Sequence, residues 1–288
     1  MANRRELVKR RKAAKNIKKI TRTMQLIATA RFQAAFNRAV ATRPYSDKLA
    51  ELVGDLSRAA GGEIDHPLMR TQDDVKRSAL VIITSNRGLC GGFNSNVLRT
   101  AINHVDNADE VVDVHMIGKK GANYFKFLGR DMVETMTDLD ENVRFDQVEP
   151  IGNNLIRRFV DGEISSVKVA YMRFHSTSRQ APEIMQLLPL APDAVEGEEG
   201  GGSVEYEFSP EPRALLDDLL PASVRMRLFQ CFTDAVVSEQ VARMVAMKAA
   251  TDAAGDMIKS LTQQYNRARQ THITMELLDI VGGASALG

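Results

Sequence analysis

Two long segments at opposite ends of the chain are almost free of residues that end helices. Residues 3–57 contain one proline and one glycine, and residues 222–278 contain one glycine, Gly255, and no proline. Because proline and glycine are the residues least compatible with a helix interior, each segment is expected to be helical. At about 1.5 Å per residue, helices of this size span roughly 80 to 100 Å. We expect them to pair as an antiparallel coiled coil, with the residues between them folding as a separate domain.

Small and apolar residues recur in both segments with heptad spacing, in steps of three and four. In the first segment the pattern predicts a seam at Ala13, Ile17, Ile20, Met24, Ile27, Ala34 and Ala41. In the second segment it predicts a seam at Met244, Met247, Thr251, Ala254, Ile258, Leu261, Tyr265 and Ala268, which shifts near the end to Ile273, Leu277, Ile280 and Ala284.

Prolines and a capping pattern set the expected limits of these helices. Pro44 is expected to kink or divide the first helix, because proline cannot donate a backbone hydrogen bond. Ser209 followed by Pro210 predicts a helix start, and Pro221 predicts an interruption and the start of a second helix. The predicted segments are 1–60 for the first coiled-coil helix, 75–205 for the central domain and 209–288 for the second coiled-coil helix.

Runs rich in β-branched residues alternate with helical patterns through the middle of the chain. Strands are predicted at 79–84, 111–117, 131–136, 167–174 and 183–190, with helices at 94–108, 119–129 and 144–164. Such alternation is typical of a mostly parallel sheet covered by helices. The predicted fold class is therefore α/β: a long antiparallel two-helix coiled coil formed by the N- and C-terminal segments, plus a central α/β domain. A flexible acidic loop is expected at 191–205.

The charge is strongly segregated, although the formal net charge is only +1. Residues 1–22 carry ten lysines and arginines against one acid, Glu6, and ten minus one gives +9. Such a basic segment requires an acidic partner: a nucleic acid, an anionic membrane or an acidic protein surface. The apolar runs are too short to span a bilayer, and the start of the chain lacks a secretory apolar core. Cys90 and Cys231 lie far apart and are expected to be reduced thiols of a cytosolic protein.

The segment 85–96, SNRGLCGGFNSN, follows a predicted strand and is a candidate phosphate loop. A P-loop would require a lysine directly after its last glycine, which this segment lacks. A dinucleotide fingerprint would require G-x-G-x-x-G, and the glycines here are spaced differently, although Asp113 lies at about the right distance for the ribose acid. The sequence favours a tight strand-to-helix turn, with Asn94 or Ser95 capping the helix.

No other residue pattern in the sequence indicates a catalytic or metal-binding site. The five histidines are scattered without metal-ligand spacing, and no Ser-His-Asp or Cys-His arrangement is visible. Neighbouring acids such as Asp217 and Asp218 are expected to be solvated rather than catalytic. No catalytic residue, cofactor or metal is therefore predicted.

Four stretches together resemble the gamma subunits of F-type ATP synthases, in family order and over most of the chain. They are KNIKKITRTMQLIATARF, RGLCGGFN, YEFSPEPRALLDDLL and the long C-terminal block SEQVARMVAMKAATDAAGDMIKSLTQQYNRARQTHITMELLDIVGGASAL. The resemblance implies an asymmetric antiparallel coiled coil inside a hexamer of alternating alpha and beta subunits. It also implies a Rossmann-like central domain that, with the epsilon subunit, sits on the membrane c-ring.

The same resemblance implies a function and a location. Proton flow would turn the c-ring and this shaft, and the shaft would drive the beta subunits through ATP synthesis or hydrolysis without catalytic residues of its own. One copy per complex is expected, peripheral on the cytoplasmic face of a bacterial inner membrane, with no nucleic-acid partner. The acidic loop has no cysteine pair, which indicates a bacterial-type subunit without a thiol switch. The glycines implied to form only a structural turn are Gly88, Gly91 and Gly92.

Individual contacts carry over where the motifs match. The residues implied to contact the beta subunits are Met24, Arg243, Arg269, Gln270 and Thr274. The last turns are apolar or small after Asp279 and suit a hydrophobic bearing, formed by Leu277, Ile280, Val281, Ala284 and Leu287. The sequence departs from the family pattern at Ala253, where many members have asparagine, and at Pro221, where an uninterrupted helix is expected.

Two alternatives from other classes remain open at this point. A basic coiled coil that binds nucleic acid would contact phosphates through the N-terminal segment. In such a protein the basic residues continue beyond the coiled coil, whereas here Lys18, Lys19 and Arg22 interleave with seam residues. A nucleotide-dependent enzyme is the other alternative, and the incomplete phosphate motifs speak against it.

Overall fold

The computed structural model describes residues 4–59, 66–72, 74–139, 141–190 and 212–287, with the side chains of all but 43, 47, 50, 55, 57–59, 212–214 and 283–287. The elements in these ranges are α1 Arg4–Ala59, β1 Arg77–Ile83, α2 Phe93–Asp106, β2 Val111–Ile117, α3 Lys119–Phe127, β3 Glu134–Met136, α4 Phe145–Val160, β4 Ser166–Phe174, β5 Gln180–Leu188 and α5 Pro212–Leu287. None of the helices in these ranges is long and apolar enough to cross a membrane.

The chain divides into two compact units. We call Met1–Thr29 with Arg243–Gly288 the coiled-coil unit, and Ala30–Ala242 the sheet unit. Both α1 and α5 therefore contribute residues to each unit. The segment limits expected from the sequence, at 60, 75, 205 and 209, stay a prediction.

The sheet unit contains a five-stranded sheet with the order β3-β2-β1-β4-β5. The first four strands are parallel, with Val81 of β1 opposite His115 of β2 on one side and Val169 of β4 on the other. Strand β5 runs antiparallel to β4 and forms one edge. The predicted mostly parallel α/β architecture is thus confirmed. Six of the seven residues of β1 are buried, which is why this central strand reads as a continuous apolar run.

One hydrophobic core holds the sheet and the helices of this unit together. Among its largest fully buried side chains are Phe125 of α3, Phe159 of α4 and Phe232 of α5. The long helices belong to the same core, through Leu56 of α1 and Leu220 of α5 among others. Burial of apolar surface therefore fixes α1 and α5 against the sheet over several turns.

The buried face of α1 differs from the predicted seam. In the coiled-coil unit, the buried side chains of α1 follow a strict seven-residue interval, at Leu7, Ala14, Thr21 and Ala28. The predicted seam residues Ile17, Ile20 and Ile27 are 52%, 58% and 47% exposed, Ala13, Ala34 and Ala41 are exposed as well, and Met24 is half-buried. The prediction was wrong because it followed the isoleucines, whereas three of the four buried residues, Ala14, Thr21 and Ala28, have small side chains.

The predicted seam of α5 is confirmed from Met244 to Ala268. Its eight residues are all buried or half-buried, among them Met247, Thr251, Ala254 and Leu261. By contrast, the shifted continuation at Ile273, Leu277 and Ile280 is exposed, and the side chain of Ala284 lies outside the described residues.

Three contacts show that α1 and α5 run antiparallel in the coiled-coil unit. The guanidinium of Arg11 lies 5.0 Å from the ring centroid of Tyr265, and the Thr21 and Thr251 hydroxyl oxygens are 2.8 Å apart. Between them, Lys18 lies over Gly255, close to where a β-carbon at that glycine would stand. The partners rise in number along α1 and fall along α5, as an antiparallel pair requires.

Both long helices continue through their prolines. Pro44 lies inside α1 and Pro221 inside α5, so neither residue divides its helix and no second helix starts at Pro221. A proline removes one backbone hydrogen bond, and the helix around Pro221 is held by packing, since Leu220 and Val224 are fully buried. The predicted cap at Ser209 and Pro210 lies outside the described residues.

Candidate functional site

The glycine-rich loop between β1 and α2 is held in shape by hydrogen bonds of its own side chains. The backbone is left-handed at Leu89, with φ 64°, and at Gly91, with φ 55°. Asn94 folds back onto the end of β1, where its Oδ1 accepts a hydrogen bond from the Ser85 backbone N–H at 2.9 Å. The N-cap of α2 is Gly92, without a side-chain cap, so the predicted capping by Asn94 or Ser95 is wrong. Asn94 is instead used to shape the loop.

The first turn of α3 also has its backbone donors occupied. The Lys119 N–H donates to Asn86 Oδ1 at 3.0 Å, and the Gly121 N–H donates to Thr84 Oγ1 at 3.0 Å. A β-carbon at Gly118 would lie 2.2 Å from the Thr84 carbonyl oxygen, so the start of α3 is pressed against the end of β1. Two backbone donors at this helix start, of the kind that can bind anions at helix N-termini, are thus used inside this chain.

A crevice of about 360 Å³ lies at the carboxyl ends of β1 and β2. In open α/β sheets, ligands bind in such crevices, outside the carboxyl ends of the strands. Here α1 and α5 form part of the wall through Arg31, Phe232 and Glu239. The crevice in which a Rossmann-like sheet would hold a dinucleotide is therefore partly lined by the two long helices.

Glu141, in the loop after β3, joins this wall to α1. Its carboxylate forms an ion pair with Arg31, and its backbone carbonyl accepts a hydrogen bond from Arg38 Nη2 at 3.2 Å. Arg87, from the glycine-rich loop, lies 4.0 Å from the same carboxylate. Glu141 is not among the site residues predicted from the sequence. The only sequence signal was the seven-residue spacing of Arg31 and Arg38, which places both on one face of α1.

Asp113, the candidate ribose acid, is committed to a buried network. Its carboxylate accepts a hydrogen bond from Arg158 Nη2 at 2.6 Å, and Arg77 Nε lies 3.4 Å away. Burial lowers the pKa of Arg158, but hydrogen bonds to Asp113 and Glu163 outweigh it and raise that pKa on balance. Arg158 also lies 3.2 Å from His115 Nε2. Asp113 therefore has structural partners in place of a sugar hydroxyl.

The described residues contain no cluster of three or more His, Cys, Asp or Glu side chains that could hold a metal ion. Cys90 and Cys231 are both free and buried. Burial, reinforced by Asp234, raises the pKa of the Cys231 thiol well above its usual range. The thiolate is the reactive form of cysteine, so this environment disfavours redox chemistry at Cys231.

The residues implied to contact the beta subunits differ in exposure. Met24 is half-buried and Arg243 is 8% exposed, whereas Arg269, Gln270 and Thr274 are exposed on α5. The Thr274 hydroxyl donates to the Gln270 carbonyl at 2.9 Å, which places these two on one face.

The bearing residues Leu277, Ile280 and Val281 are 57%, 68% and 60% exposed. The side chains of Ala284 and Leu287 lie outside the described residues. The described part of the bearing is therefore an apolar helix surface that this chain itself leaves uncovered.

Comparisons with known proteins agree with the fold. A family model described as ATP synthase matches residues 3–287. The ATP synthase gamma chain of Rhodopirellula baltica is 42% identical over 295 residues, covering 100% of this chain and 99% of the relative. That of Leptospira biflexa is 40% identical over 290 residues, covering 100% of both.

Solved structures show the same fold. The rotor of the Euglena gracilis mitochondrial ATP synthase matches with a TM-score of 0.66 at 19% identity, covering 94% of this chain and 98% of that one. The central stalk of the Tetrahymena thermophila enzyme matches with a TM-score of 0.59 at 20% identity, covering 80% and 99%. With a family model over almost its whole length and full-length relatives at 40% identity or more, this chain belongs to the family of ATP synthase gamma chains.

Proposed function

We propose that this chain is the central rotary shaft of an F-type ATP synthase. In this role it couples proton flow through the membrane c-ring to ATP synthesis or hydrolysis at the beta subunits. The observation that carries the proposal is the antiparallel coiled coil of α1 and α5 in a chain that belongs to the gamma family. A two-stranded coiled coil resists twisting better than a single helix, as a part that transmits torque must.

The proposed partners are the alpha and beta subunits of the head, the epsilon subunit and the c-ring, with one copy of this chain per complex. Met24, Arg243, Arg269, Gln270 and Thr274 are proposed to meet the beta subunits. Three of them are exposed cations or hydrogen-bonding groups on α5. Exposed ion pairs are individually weak, so such contacts form and release readily as a shaft turns.

The end of α5 is proposed to act as a hydrophobic bearing. Leu277, Ile280 and Val281 are all more than half exposed. Ala284 and Leu287 are assigned to the same surface from the sequence. Apolar contacts are non-directional, so a sleeve around this surface would hold the shaft in place without favouring one angle.

The chain is proposed to have no catalytic or nucleotide-binding site of its own. The internally bonded loop at Ser85–Gly92 and the helix-lined crevice support this. The test is calorimetric titration of the isolated chain with MgATP. We expect no heat of binding in the micromolar range, and a one-to-one complex at that affinity would contradict the proposal.

A location on the cytoplasmic face of the bacterial inner membrane is proposed, with the chain held there by its partners. The full-length bacterial relatives support it. Affinity purification of the tagged chain from membranes of its own host, followed by mass spectrometry, tests both partners and location. We expect alpha, beta, epsilon and c subunits in the eluate. An eluate that lacks them, or that contains nucleic acid in their place, would overturn the proposal.

A further inference from the structure

Within the sheet unit, two arginines of α1 contact a single residue, Glu141. Arg31 and Arg38 lie seven residues apart, so they face the same side of the helix. Arg31 pairs with the Glu141 carboxylate, and Arg38 binds the Glu141 backbone carbonyl at 3.2 Å. The Glu141 and Arg31 side chains are 26% and 39% exposed, so solvent screens the pair only in part.

The loop that carries Glu141 is itself fastened to the sheet. The Asn86 side-chain amide donates to the Leu139 carbonyl at 2.6 Å, two residues before Glu141. The Oδ1 of the same Asn86 accepts the Lys119 N–H at 3.0 Å. Force applied to Glu141 is therefore passed to the end of β1 and the start of α3, not absorbed by a free loop.

Apolar contacts also hold α1 near this point. Phe32 and Phe36 lie with ring centroids 6.4 Å and 5.9 Å from that of Phe174 on β4. Such contacts favour burial but have weak directional preference, so they allow small sliding and rolling movements. The ion pair and hydrogen bond at Glu141 fix both distance and direction, and therefore oppose these movements.

We propose that Glu141 is a positioning residue for torque transfer: with Arg31 and Arg38 it locks α1 against rotation relative to the sheet. This inference rests on the proposed shaft function and extends it to a named contact. Neither Glu141 nor its partners touch a reacting group, so the effect is on the stiffness of the rotor.

The test uses the assembled head complex bound to a surface, with a bead attached through Lys126→Cys on the exposed side of α3. Without nucleotide turnover, the width of the bead's angular fluctuations measures rotor stiffness. Removing this partly exposed ion pair from a contact that apolar packing still holds should raise the angular variance of Glu141→Gln about twofold. ATP hydrolysis in solution should be unchanged, because the head is untouched.

Glu183→Gln is the matched control, because it removes another partly exposed ion pair of the same unit, Arg173–Glu183 at 3.0 Å. Its variance should equal that of the parent. Arg31→Gln should raise the variance by the same amount or slightly less, because Arg87 still lies 4.0 Å from the Glu141 carboxylate in that variant. The double variant should show no increase beyond that of Glu141→Gln, because both changes remove the Arg31–Glu141 pair. Additive effects, or an equal increase in the control, would overturn the proposal.

Salt provides a second measurement that does not depend on assembly of a variant. The variance of the parent complex should rise with ionic strength, because the pair is partly screened by ions. A parent variance that does not change with salt would contradict the proposed role of Glu141. A Glu141→Gln variance equal to the parent's would contradict it as well. A parent complex whose bead does not turn during ATP hydrolysis would instead contradict the proposed shaft function.

Discussion

Gly121 and Gly255 are both helix glycines, yet they stand in opposite surroundings. A β-carbon at Gly121 would lie 2.4 Å from Met116 Sδ and 2.7 Å from Thr84 Oγ1. That hydroxyl donates to the Ile117 carbonyl at 2.7 Å and accepts the Gly121 N–H, so it has little freedom to move. A β-carbon at Gly255 would meet only the flexible end of Lys18, with Nζ at 3.2 Å.

The two glycines therefore predict opposite effects of alanine. Gly121→Ala should lower the free energy of unfolding by about 1 to 3 kcal/mol, because the added methyl overpacks a buried site. Gly255→Ala should raise it by roughly 0.5 to 1 kcal/mol, because alanine favours the helix and Lys18 can shift aside. Urea unfolding of the isolated chain measures both. Equal effects of the two substitutions would show that the local packing is not as described.

His66 gives the stability of the chain a dependence on pH. Its Nδ1 accepts a hydrogen bond from the Leu68 N–H at 3.1 Å, and the residue is buried. Burial lowers the pKa of His66 below the ordinary 6.5, although Asp217 partly opposes this shift. Below that ordinary value the unfolded chain takes up a proton more readily than the folded one. The contribution to stability is therefore fully present above it and is lost as the pH falls.

The variant His66→Asn tests this sign. Asparagine keeps an acceptor for the Leu68 N–H and cannot be protonated in this range. The loss of unfolding free energy between about pH 7.5 and about pH 5.5 should be smaller in His66→Asn than in the parent. A variant that loses as much as the parent, or more, would contradict the assignment.

At the scale of elements, the sequence predicted the sheet and the seam of α5 from Met244 to Ala268, but it wrongly divided α5 at Pro221 and misplaced the seam of α1. The strands were visible because their apolar runs are continuous, and the α5 seam because methionine, isoleucine and leucine mark it. The seam of α1 consists of Leu7, Ala14, Thr21 and Ala28, which carry little hydrophobic signal beside the isoleucines on the exposed face. The seven-residue spacing of these four residues is present in the sequence, but three of them are small, so it was less visible than the spacing of the isoleucines.

The observed and predicted α1 seams can be separated by substitution. Ala28 is fully buried, so Ala28→Leu should push the helices apart and lower the free energy of unfolding by about 1 to 3 kcal/mol. Ile20 is 58% exposed, and Ile20→Ala should change it by no more than about 0.5 kcal/mol in the isolated chain. Chemical unfolding of both variants decides the matter. A large loss for Ile20→Ala with a small one for Ala28→Leu would restore the predicted seam.

The candidate site shows a similar division between local and distant information. The failure of the phosphate motifs was readable from 85–96 alone. The role of Asn94 could not be predicted in the same way, because Asn94 meets Ser85, nine residues earlier, only when the turn has folded. Glu141 was beyond reach for the same reason, since 103 residues separate it from Arg38. Contacts of this kind depend on the folded sheet, which brings the loop after β3 to α1.

At the scale of the whole molecule, a mostly parallel α/β sheet, of a kind that binds nucleotides in other proteins, here packs against two long helices. The crevice at the ends of β1 and β2 is partly walled by Arg31, Phe232 and Glu239 of the long helices. The acid that would hold a ribose, Asp113, is paired with Arg158. Family membership, the antiparallel coiled coil and the exposed apolar end of α5 all fit a part that turns inside other subunits.

As the proposed shaft, this chain turns within the head and transmits torque. A bead attached to the sheet unit through Lys126→Cys can be observed while an immobilised complex of alpha, beta and this chain hydrolyses ATP. We expect continuous rotation in one direction that requires ATP and stops when ATP is removed. Steady ATP hydrolysis with a bead that only fluctuates about one angle would contradict it.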